Sequence, residues 1–580
     1  AEMGSLNPIF ALPSALSDNS EIFAQGYVDA VNLFAGQMCT KPGALVILAK
    51  SFDEKFKKYL LSKITSHKCL PMLNEDVYRN FNNSMAYLEG QLNLLGKSEQ
   101  SKETHILNGK IQIFQISAKK FLENQELRTE SFGPSSLVVV AEDFCEMLKI
   151  ANKISFQTLV SNIFFAFIVL TMIFTRSLMG FKLFGFRLGE LIVGFGIVLV
   201  FSFIIMFIFK NNYLDFFPYK YFFLFLFSFL LSLFMNQGSL LSLYTYKSSS
   251  YLWMIGYVLL SYYFLNNFRF YNLHISVLIL VPFIIYIFNS GNYPNFIMYF
   301  FQEYSDKFQF MKGSDVLMAF ILCTFILKDK IKGKKYFLAY VNSMGALLLP
   351  LFLTLSRASF FSACLFILLI NISFYKVIKN NKLNFIILLF FFGGLFILSS
   401  IRLASLPDFM FNSSEPQVVN VIQESVSEVV ERKNTNQFLG FYFCEGRLCS
   451  KDNTLDWRLD IWFDLIFDQV DKGKLIQGFG FNEIFEVMKD PNAPGRLGRD
   501  GLNENVHNHI FTIIGRMGLI GLVSYLFFQV KLLSPLKKKV FVFILPLFLV
   551  SSFDTTMESV QFPLLYYFLI SFYYSTLSKS

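Results

Sequence analysis

The chain has 580 residues and a net charge of +9; 54% of its residues are hydrophobic, 18% are aromatic and only 16% are charged. Soluble proteins have about 25% charged residues, so a lipid bilayer is expected to be the main solvent of this chain. A basic excess would suggest nucleic acid as the partner of a soluble protein. Here much of the excess lies in loops between apolar runs, where membrane orientation explains it, and no nucleic-acid partner is predicted.

Apolar runs are distributed unevenly along the chain. No uninterrupted run before Ser155 approaches the ~20 residues that cross a bilayer, whereas such runs recur from there to the C-terminus. We therefore expect two domains, residues 1–154 and residues 155–580. The chain starts AEMGSLNPIF, without an initiator methionine or the basic and apolar segments of a signal peptide, so we interpret its start as the middle of a domain.

Twelve apolar runs predict that the second domain is a polytopic all-α membrane protein with about twelve transmembrane helices. The runs lie near Phe156–Phe174, Glu190–Phe209, Tyr221–Met235, Ser250–Leu265, Leu273–Phe288, Asp315–Leu327, Tyr336–Thr354, Ser359–Tyr375, Phe385–Ser400, Ile510–Val530, Val540–Phe553 and Val560–Tyr574.

The most basic loops fall on one side of the predicted membrane. They are KDKIKGKK after Leu327, KVIKNNK after Tyr375 and KLLSPLKKK after Val530. Basic loops stay in the cytoplasm, so this side, the N-terminal piece and the C-terminus are predicted to be cytoplasmic in a bacterial inner membrane. Residues 401–509 then form a large external helical loop in the periplasm.

One short loop disagrees with this orientation. The segment TRSLMGFKLFGFR carries Arg176, Lys182 and Arg187, yet the count of spans places it outside. Either the first run is not a span, which leaves eleven, or the loop is re-entrant.

The external loop is too long and too polar to be a plain connector, and it has helix signals of its own. Ser414, Glu415 and Pro416 are typical of a helix start, and apolar residues follow at helical spacing. Further on, aspartates recur every four residues along one face of a second predicted helix. They are Asp456, Asp460, Asp464 and Asp468. This face is either a solvated acidic surface or a site for a cation or a sugar.

Two short patterns in the same loop have structural interpretations. Cys444 and Cys449 either form a disulfide in an oxidising compartment or stay unpaired in a CEGRLC turn. No cysteine or histidine spacing suggests zinc. Gly478 and Gly480 of QGFGFN lack a following Gly-Lys-Ser/Thr, so they indicate a tight turn and not a nucleotide-binding loop.

Three constellations at the outer surface carry residues able to do chemistry. Arg357 in LTLSRAS is either a snorkelling anchor at the end of a span or a functional residue. Arg458 in DWRLDIW has a planar fork that binds phosphate oxygens in pairs, unless it pairs with aspartates of its own helix. His507, which precedes Asn508 and His509 in ENVHNHIF, is either structural or able to take a proton from a hydroxyl.

In their order along the chain, these features resemble the O-antigen ligase and O-antigen polymerase superfamily. SR at a helix end, a large loop with W-R-x-x-x-W, a G-x-G turn and HN before a glycine-rich span follow one another over about the last 390 to 420 residues. The resemblance implies transfer of a glycan from undecaprenyl diphosphate to a hydroxyl of a glycan or of lipid A core, without a metal or another cofactor. On this basis Arg357 and Arg458 are predicted to hold the donor diphosphate, and His507 is predicted to be the general base.

Residues 1–154 resemble another family, the aldehyde dehydrogenases, and especially the ketoglutarate-semialdehyde type. AEMGSLNPIF, AGQMCTKPG and ESFGPSSLVV follow in the order of that family. The resemblance implies that Cys39 is the nucleophilic thiolate, Glu2 is the base and Glu130 contacts the nicotinamide ribose of NAD(P). Nothing able to bind a dinucleotide precedes Glu2, and a span follows Asn152. This truncated α/β fragment is therefore not expected to close its own core or to act as a dehydrogenase.

Two other interpretations stay open beside a lipid-linked glycan transferase that carries an inactive dehydrogenase fragment. A polysaccharide transporter or flippase also has about a dozen spans, but it usually shows internal repeats, and none is clear here. Alternatively, the two pieces are a non-physiological fusion whose soluble part is a defunct NAD(P)-dependent dehydrogenase.

Overall fold

The structure, a computed structural model, divides into two compact units, Ala1–Phe164 and Phe165–Ser580. It describes residues 6–17, 19–38, 40–68, 70–99, 107–124, 126–128, 130–151, 157–209, 215–268, 270–308, 311–404, 440–444, 446–490, 496–497, 504–535 and 538–577.

The first unit is an α/β fold around a five-stranded sheet, with a separate two-stranded sheet of β3 and β5. Its strands are β1 (Asn7–Ala11), β2 (Pro42–Leu48), β3 (Leu70–Pro71), β4 (Asn93–Lys97), β5 (Asn108–Gly109), β6 (Gln112–Ser117) and β7 (Ser135–Ala141). Its helices are α1 (Pro13–Ser17), α2 (Ser20–Asn32), α3 (Glu54–Ser66), α4 (Glu75–Gln91), α5 (Ala118–Glu123) and α6 (Phe144–Ala151), with 3₁₀ turns at Leu33–Gly36, Ala49–Ser51 and Glu126–Arg128. The sheet order is β1-β2-β7-β6-β4, and only β4 runs antiparallel to its neighbour.

The central strand β2 shows why this sheet forms. Its sequence PGALVIL is buried at every position, which is typical of a parallel strand covered on both faces. Val46 packs in one apolar cluster and Leu45 and Ile47 in another, because successive side chains of a strand point to opposite faces. The described part of this unit thus has a core on each side of its sheet.

The second unit is mostly helical. Its helices are α7 (Gln157–Met179), α8 (Leu188–Ile208), α9 (Tyr219–Met235), α10 (Leu243–Ser248), α11 (Ser250–Trp253), α12 (Tyr257–Asn267), α13 (Asn272–Asn289), α14 (Asn295–Tyr304), α15 (Gly313–Leu327), α16 (Lys334–Leu355), α17 (Arg357–Ser373), α18 (Tyr375–Asn380), α19 (Lys382–Ala404), α20 (Asn453–Asp471), α21 (His509–Leu533), α22 (Lys538–Ser551) and α23 (Gln561–Leu577). 3₁₀ turns lie at Met254–Gly256 and Glu486–Lys489, and short strands are β8 (Lys182–Leu183), β9 (Phe186–Arg187), β10 (Phe441–Cys444) and β11 (Arg447–Ser450).

Six helices in the described part of the chain are long and apolar enough to cross a membrane by length and composition. These candidate spans are Asn162–Met179, Leu188–Ile208, Asn272–Asn289, Lys334–Leu355, Phe385–Ala404 and His509–Leu533. Five shorter apolar helices accompany them. Each of the twelve predicted apolar runs is helical, but the number of twelve spans, or eleven, stays a prediction.

The two explanations of the basic loop that disagreed with the predicted orientation, eleven spans or a re-entrant loop, stay predictions. α7 contains a candidate span, and β8 and β9 form a hairpin directly after it. Lys182 Nζ lies 2.6 Å and Arg187 Nε 3.1 Å from carboxylate oxygens of Asp306. Paired charges explain part of the basic excess of this loop.

Two glycines allow apolar helices to pack closely: Gly196 of α8 and Gly256 of the 3₁₀ turn before α12. A Cβ atom on Gly256 would lie 2.8 Å from the Gly196 carbonyl oxygen. Small residues let helix backbones approach in this way. In α21, a Cβ atom on Gly518 would lie 2.2 Å from the carbonyl oxygen of Ile476.

The loop predicted to be external and helical contains a hairpin as well as a helix in its described residues. β10 and β11 pair antiparallel, and Cys444 and Cys449 form a disulfide between them with their Cα atoms 5.9 Å apart. The aspartate-rich helix is present as α20. The helix predicted after Ser414 lies outside the described residues.

Candidate active site

Arg357 connects the start of the apolar helix α17 to the predicted external loop that contains Asp452. It is the first residue of α17, directly after Ser356, whose hydroxyl caps the helix by accepting the N–H of Ser359. The Arg357 guanidinium forms an ion pair with Asp452. Asp452 caps α20 in turn, since its carboxylate accepts the N–H groups of Thr454 at 3.0 Å and of the next residue at 3.2 Å. The ion pair therefore ties the start of α17 to the start of α20.

Two tryptophans of α20 hold the segment that carries His507. The Trp457 ring packs against the His507 imidazole with 5.1 Å between centroids. The Trp462 indole donates to the Val506 carbonyl oxygen at 2.6 Å, and its ring stacks on Phe511. Both tryptophans of the W-R-x-x-x-W pattern thus act on the approach to α21, and Arg458 leaves the same helix next to Trp457. Sequence reasoning did not assign this function to the tryptophans.

His507 has a strained backbone. Its φ of 55° lies in the left-handed region that residues other than glycine rarely adopt. The next residue holds it there: the Asn508 side chain accepts the N–H of Ile510 at 2.9 Å and donates to the Ser552 carbonyl oxygen at 2.9 Å. Such strain costs about 1–3 kcal/mol and persists where neighbouring contacts fix it, often at functional sites.

The surroundings of His507 keep its imidazole neutral. Burial lowers its pKa to about 3, and the positive charges of Arg458, Lys312 and Arg176 act in the same direction, while Asp554 opposes them. A neutral imidazole is able to accept a proton, as a general base must. Of the predicted residues, Arg357, Arg458 and His507 are thus brought to one end of the helical unit.

His509, the second histidine of the HNH pattern, has different surroundings. It is 3% exposed, and its Nδ1 lies 2.9 Å from a carboxylate oxygen of Glu558. The rings of Tyr251 and Tyr525 pack edge-on against it. Burial excludes His509 from contact with a substrate in this conformation, so it fixes the start of α21 from the other side.

The aspartate stripe of α20 is neither a free acidic surface nor an open cation site, because basic side chains bind its carboxylates. The ion pairs are Arg447 with Asp456 (3.1 Å) and Asp460 (3.1 Å), Arg496 with Asp460 (2.6 Å) and Asp464, and Lys472 with Asp468 (2.8 Å). Among the residues that the structure describes, no group of three or more His, Cys, Asp or Glu side chains is placed to hold a metal.

The turn at Gly478 and Gly480 is present as predicted. Their φ angles are 72° and 79°, and a Cβ on Gly478 would lie 2.4 Å from the carbonyl carbon of Arg516. The Arg516 guanidinium donates back to the Gly480 carbonyl oxygen at 3.1 Å. The turn packs against the break of α21 at Gly518, so the two glycines are structural.

In the first unit the structure describes only one of the three predicted dehydrogenase residues. Cys39 and Glu2 lie outside the described residues. Glu130 is half-buried beside the buried Lys41, whose ammonium donates to the carbonyl oxygen of Ser131 at 2.6 Å. Burial lowers the pKa of Lys41 to about 8, and the charge of Glu130 opposes this shift.

The six candidate spans indicate a multi-pass membrane protein, in which Arg357, the tryptophan-bearing helix α20 and His507 form the candidate site. The sequence model of the O-antigen ligase family matches residues 343–526, which include α17, α20 and most of α21. This match supports glycan transfer as the general activity of the second unit.

The N-terminal region resembles aldehyde dehydrogenases. It is 29% identical over 160 residues to alpha-ketoglutaric semialdehyde dehydrogenase 2 of Azospirillum brasilense, and 31% identical over 161 residues to alpha-ketoglutaric semialdehyde dehydrogenase of Acinetobacter baylyi; each match covers 27% of this chain. The chain spans 30% of the length of these relatives. A solved structure of proline utilization A from Bdellovibrio bacteriovorus is 21% identical, with a TM-score of 0.23 over 26% of this chain and 16% of that one.

Proposed function

We propose that the second unit transfers a glycan from undecaprenyl diphosphate to an acceptor hydroxyl of a glycan or of lipid A core. The observation that carries the proposal is the contact between the Trp457 ring and the His507 imidazole. Trp457 belongs to α20, and the ion pair of Asp452 with Arg357 ties the start of this helix to α17. These contacts bring two arginines, suited to phosphate, near a base suited to a hydroxyl.

In the proposed reaction, the neutral imidazole of His507 takes the proton of the acceptor hydroxyl. The hydroxyl oxygen bonds to the anomeric carbon of the donor glycan, and the bond from that carbon to the diphosphate oxygen breaks. Undecaprenyl diphosphate leaves with the bonding electron pair. Arg357 and Arg458 stabilise its growing charge, a contribution worth about 10²- to 10³-fold in rate for one such group.

We further propose that the protein lies in a bacterial inner membrane, with the site and residues 401–509 in the periplasm and both termini in the cytoplasm. The disulfide of Cys444 and Cys449 supports an oxidising compartment for this loop. The candidate site lies at the N-terminal ends of α15 and α21, and the basic residues Lys328 and Lys531 lie at their C-terminal ends. This is the arrangement that a periplasmic site and cytoplasmic basic loops require.

No NAD(P)-dependent step is proposed for the first unit, which spans only 30% of the length of the dehydrogenases that it resembles. Its described strands form the five-stranded sheet and a two-stranded sheet of β3 and β5, and β2 directly follows the segment of Cys39 in the sequence. We propose that this unit is an inactive fragment of a catalytic domain.

The test is glycan transfer by the purified full chain in liposomes that contain an undecaprenyl-diphosphate-linked glycan and an acceptor. His507→Ala should lower the rate by at least about 10²-fold, because general-base catalysis contributes that much. His274→Ala is the matched control: this histidine packs against Phe165 and Phe268 and should keep wild-type transfer.

Arg357→Ala should also abolish most transfer, whereas Arg402→Ala, at an exposed arginine bonded to Asn292, should not. Full activity of His507→Ala would remove the histidine from the mechanism. Movement of the intact lipid-linked glycan across the bilayer, without transfer by the wild-type chain, would instead favour a flippase.

A further inference from the structure

Lys312 is a cation near the candidate site that none of the sequence motifs includes. It is the residue directly before α15, and its Nζ lies 3.0 Å from Thr555 Oγ1 and 3.5 Å from an oxygen of Asp554. The Ser314 hydroxyl donates to the other Asp554 oxygen at 2.6 Å. The contact between Lys312 and Asp554 is therefore long for an ion pair, and the carboxylate has a second partner.

The next residue places Lys312 beside the helix that carries Arg357. A Cβ atom on Gly313 would lie 2.7 Å from Ser359 Oγ and 3.3 Å from Ser356 Cβ. Ser356 is the cap of α17 and precedes Arg357. The chain at Lys312 thus packs directly on the first turn of α17.

The partner of Lys312 places it beside His507 as well. Asp554 lies two residues after Ser552. The Ser552 carbonyl oxygen accepts a hydrogen bond from the Asn508 side-chain amide at 2.9 Å, and Asn508 directly follows His507. The charge of Lys312 acts together with that of Arg458 in lowering the pKa of His507, which agrees with this position. Two independent sets of contacts therefore place Lys312 near the start of α17, which carries Arg357, and near the segment of His507.

The charges of this cluster are unbalanced. Arg176, Lys312 and Arg458 lie near His507 together with Asp554, and Asp315 is a second carboxylate near Arg176, Lys312 and Asp554, so three cations face two carboxylates among the described residues. Arg176 directly follows Thr175, where α7 breaks with a φ of 40°. An excess of cations around a neutral imidazole suits a ligand with two negative charges, such as a diphosphate.

On the basis of the proposed function, we propose that Lys312 is a donor-binding residue: its ammonium contacts the diphosphate of the lipid-linked donor, and Asp554 holds the ammonium in place until the donor arrives. Arg176 supplies a second positive charge near Lys312. This assignment also gives a function to the residual basic charge of the loop after α7.

The experiment measures binding of farnesyl diphosphate, a short prenyl diphosphate, to the full chain in detergent, beside the donor KM of glycan transfer. Lys312→Met should weaken binding by about 10- to 100-fold, the loss expected for one hydrogen bond to a charged group. Lys312→Arg should recover much of the affinity. Lys182→Met is the matched control, because Lys182 pairs with Asp306, and its affinity should equal that of the wild type.

The double variant Lys312→Met/Asp554→Asn separates donor binding from a structural ion pair. If Lys312 only neutralises the buried Asp554, loss of both charges should restore binding, and that result would overturn the inference. We expect the double variant to fold like the wild type and still bind weakly, with Asp554→Asn alone binding well.

The two proposals fail differently in this experiment. Unchanged affinity and donor KM in Lys312→Met, with normal transfer by the wild type, overturns the inference and leaves the proposed function intact. Binding that depends on Lys312 without any transfer overturns the function and keeps the inference. A wild-type chain that does not bind farnesyl diphosphate overturns the inference as well.

Discussion

Helix α20 has two charged regions that look alike in the sequence and differ in the structure. Along its acidic stripe, the carboxylates are bound by Arg447, Arg496 and Lys472. At its first turns, Arg458 and Trp457 lie next to His507. There the three cations Arg176, Lys312 and Arg458 outnumber the carboxylates of Asp554 and Asp315 among the described residues. Charges that are balanced by partners hold the loop together, whereas an unbalanced set leaves a net charge for a ligand.

The first test removes a partner from the acidic stripe of α20, where we expect the largest loss of stability. Arg496 is 2% exposed and binds Asp460 and Asp464, so Arg496→Met leaves two aspartates without this partner. Because those carboxylates are partly in solvent, we expect a loss of about 2 kcal/mol, below the ~3–5 kcal/mol of a fully buried pair. Thermal unfolding in detergent measures the loss.

The control for this prediction is a pair in the same loop. Lys489 lies 3.3 Å from Glu483, and both side chains are well exposed, so Lys489→Met should change stability by less than ~0.5 kcal/mol. Binding of farnesyl diphosphate should survive in folded Arg496→Met protein. A variant that keeps its stability but loses this binding would place Arg496 in the site and contradict the division of the helix.

The functional side predicts an unusual pH dependence. A base must be unprotonated, and with a pKa of about 3 His507 stays so far below neutral pH. We expect kcat/KM of transfer to stay level from pH 8 to pH 5, where a histidine with an ordinary pKa of about 6.5 would lose roughly 30-fold.

The cations around His507 can then be tested through the same profile. Arg458→Met removes a charge that lowers the pKa of His507, so the residual activity should begin to fall at a higher pH than in the wild type. Lys182→Met should leave the profile unchanged. An acid limb near pH 6.5 in the wild type would show that the imidazole is not held neutral by its surroundings.

Much of the fold could be predicted from the sequence because its signals are local. The apolar run Tyr336–Thr354 became α16 at Lys334–Leu355, and the four aspartates fell on one helix. The candidate site was predicted only through the order of its motifs. The pairing of Lys312 with Asp554 joins residues 242 apart, and no spacing predicts it. The sequence did show that the basic loop with Arg176 is unusual, because its charge contradicted the predicted orientation. The residues that its charged side chains pair with, such as Asp306, could be identified only from the structure.

The two units give the last and smallest expected effect. A chain that starts at Ser155 lacks the N-terminal sheet and keeps Arg357, Arg458, Lys312 and His507, so we expect its rate of glycan transfer to equal that of the full chain. The full chain should show no NADH formation with a semialdehyde, because the first unit spans only 30% of the length of the dehydrogenases that it resembles. Turnover in that assay, or loss of transfer from a folded shortened chain, would show that the first unit contributes to activity.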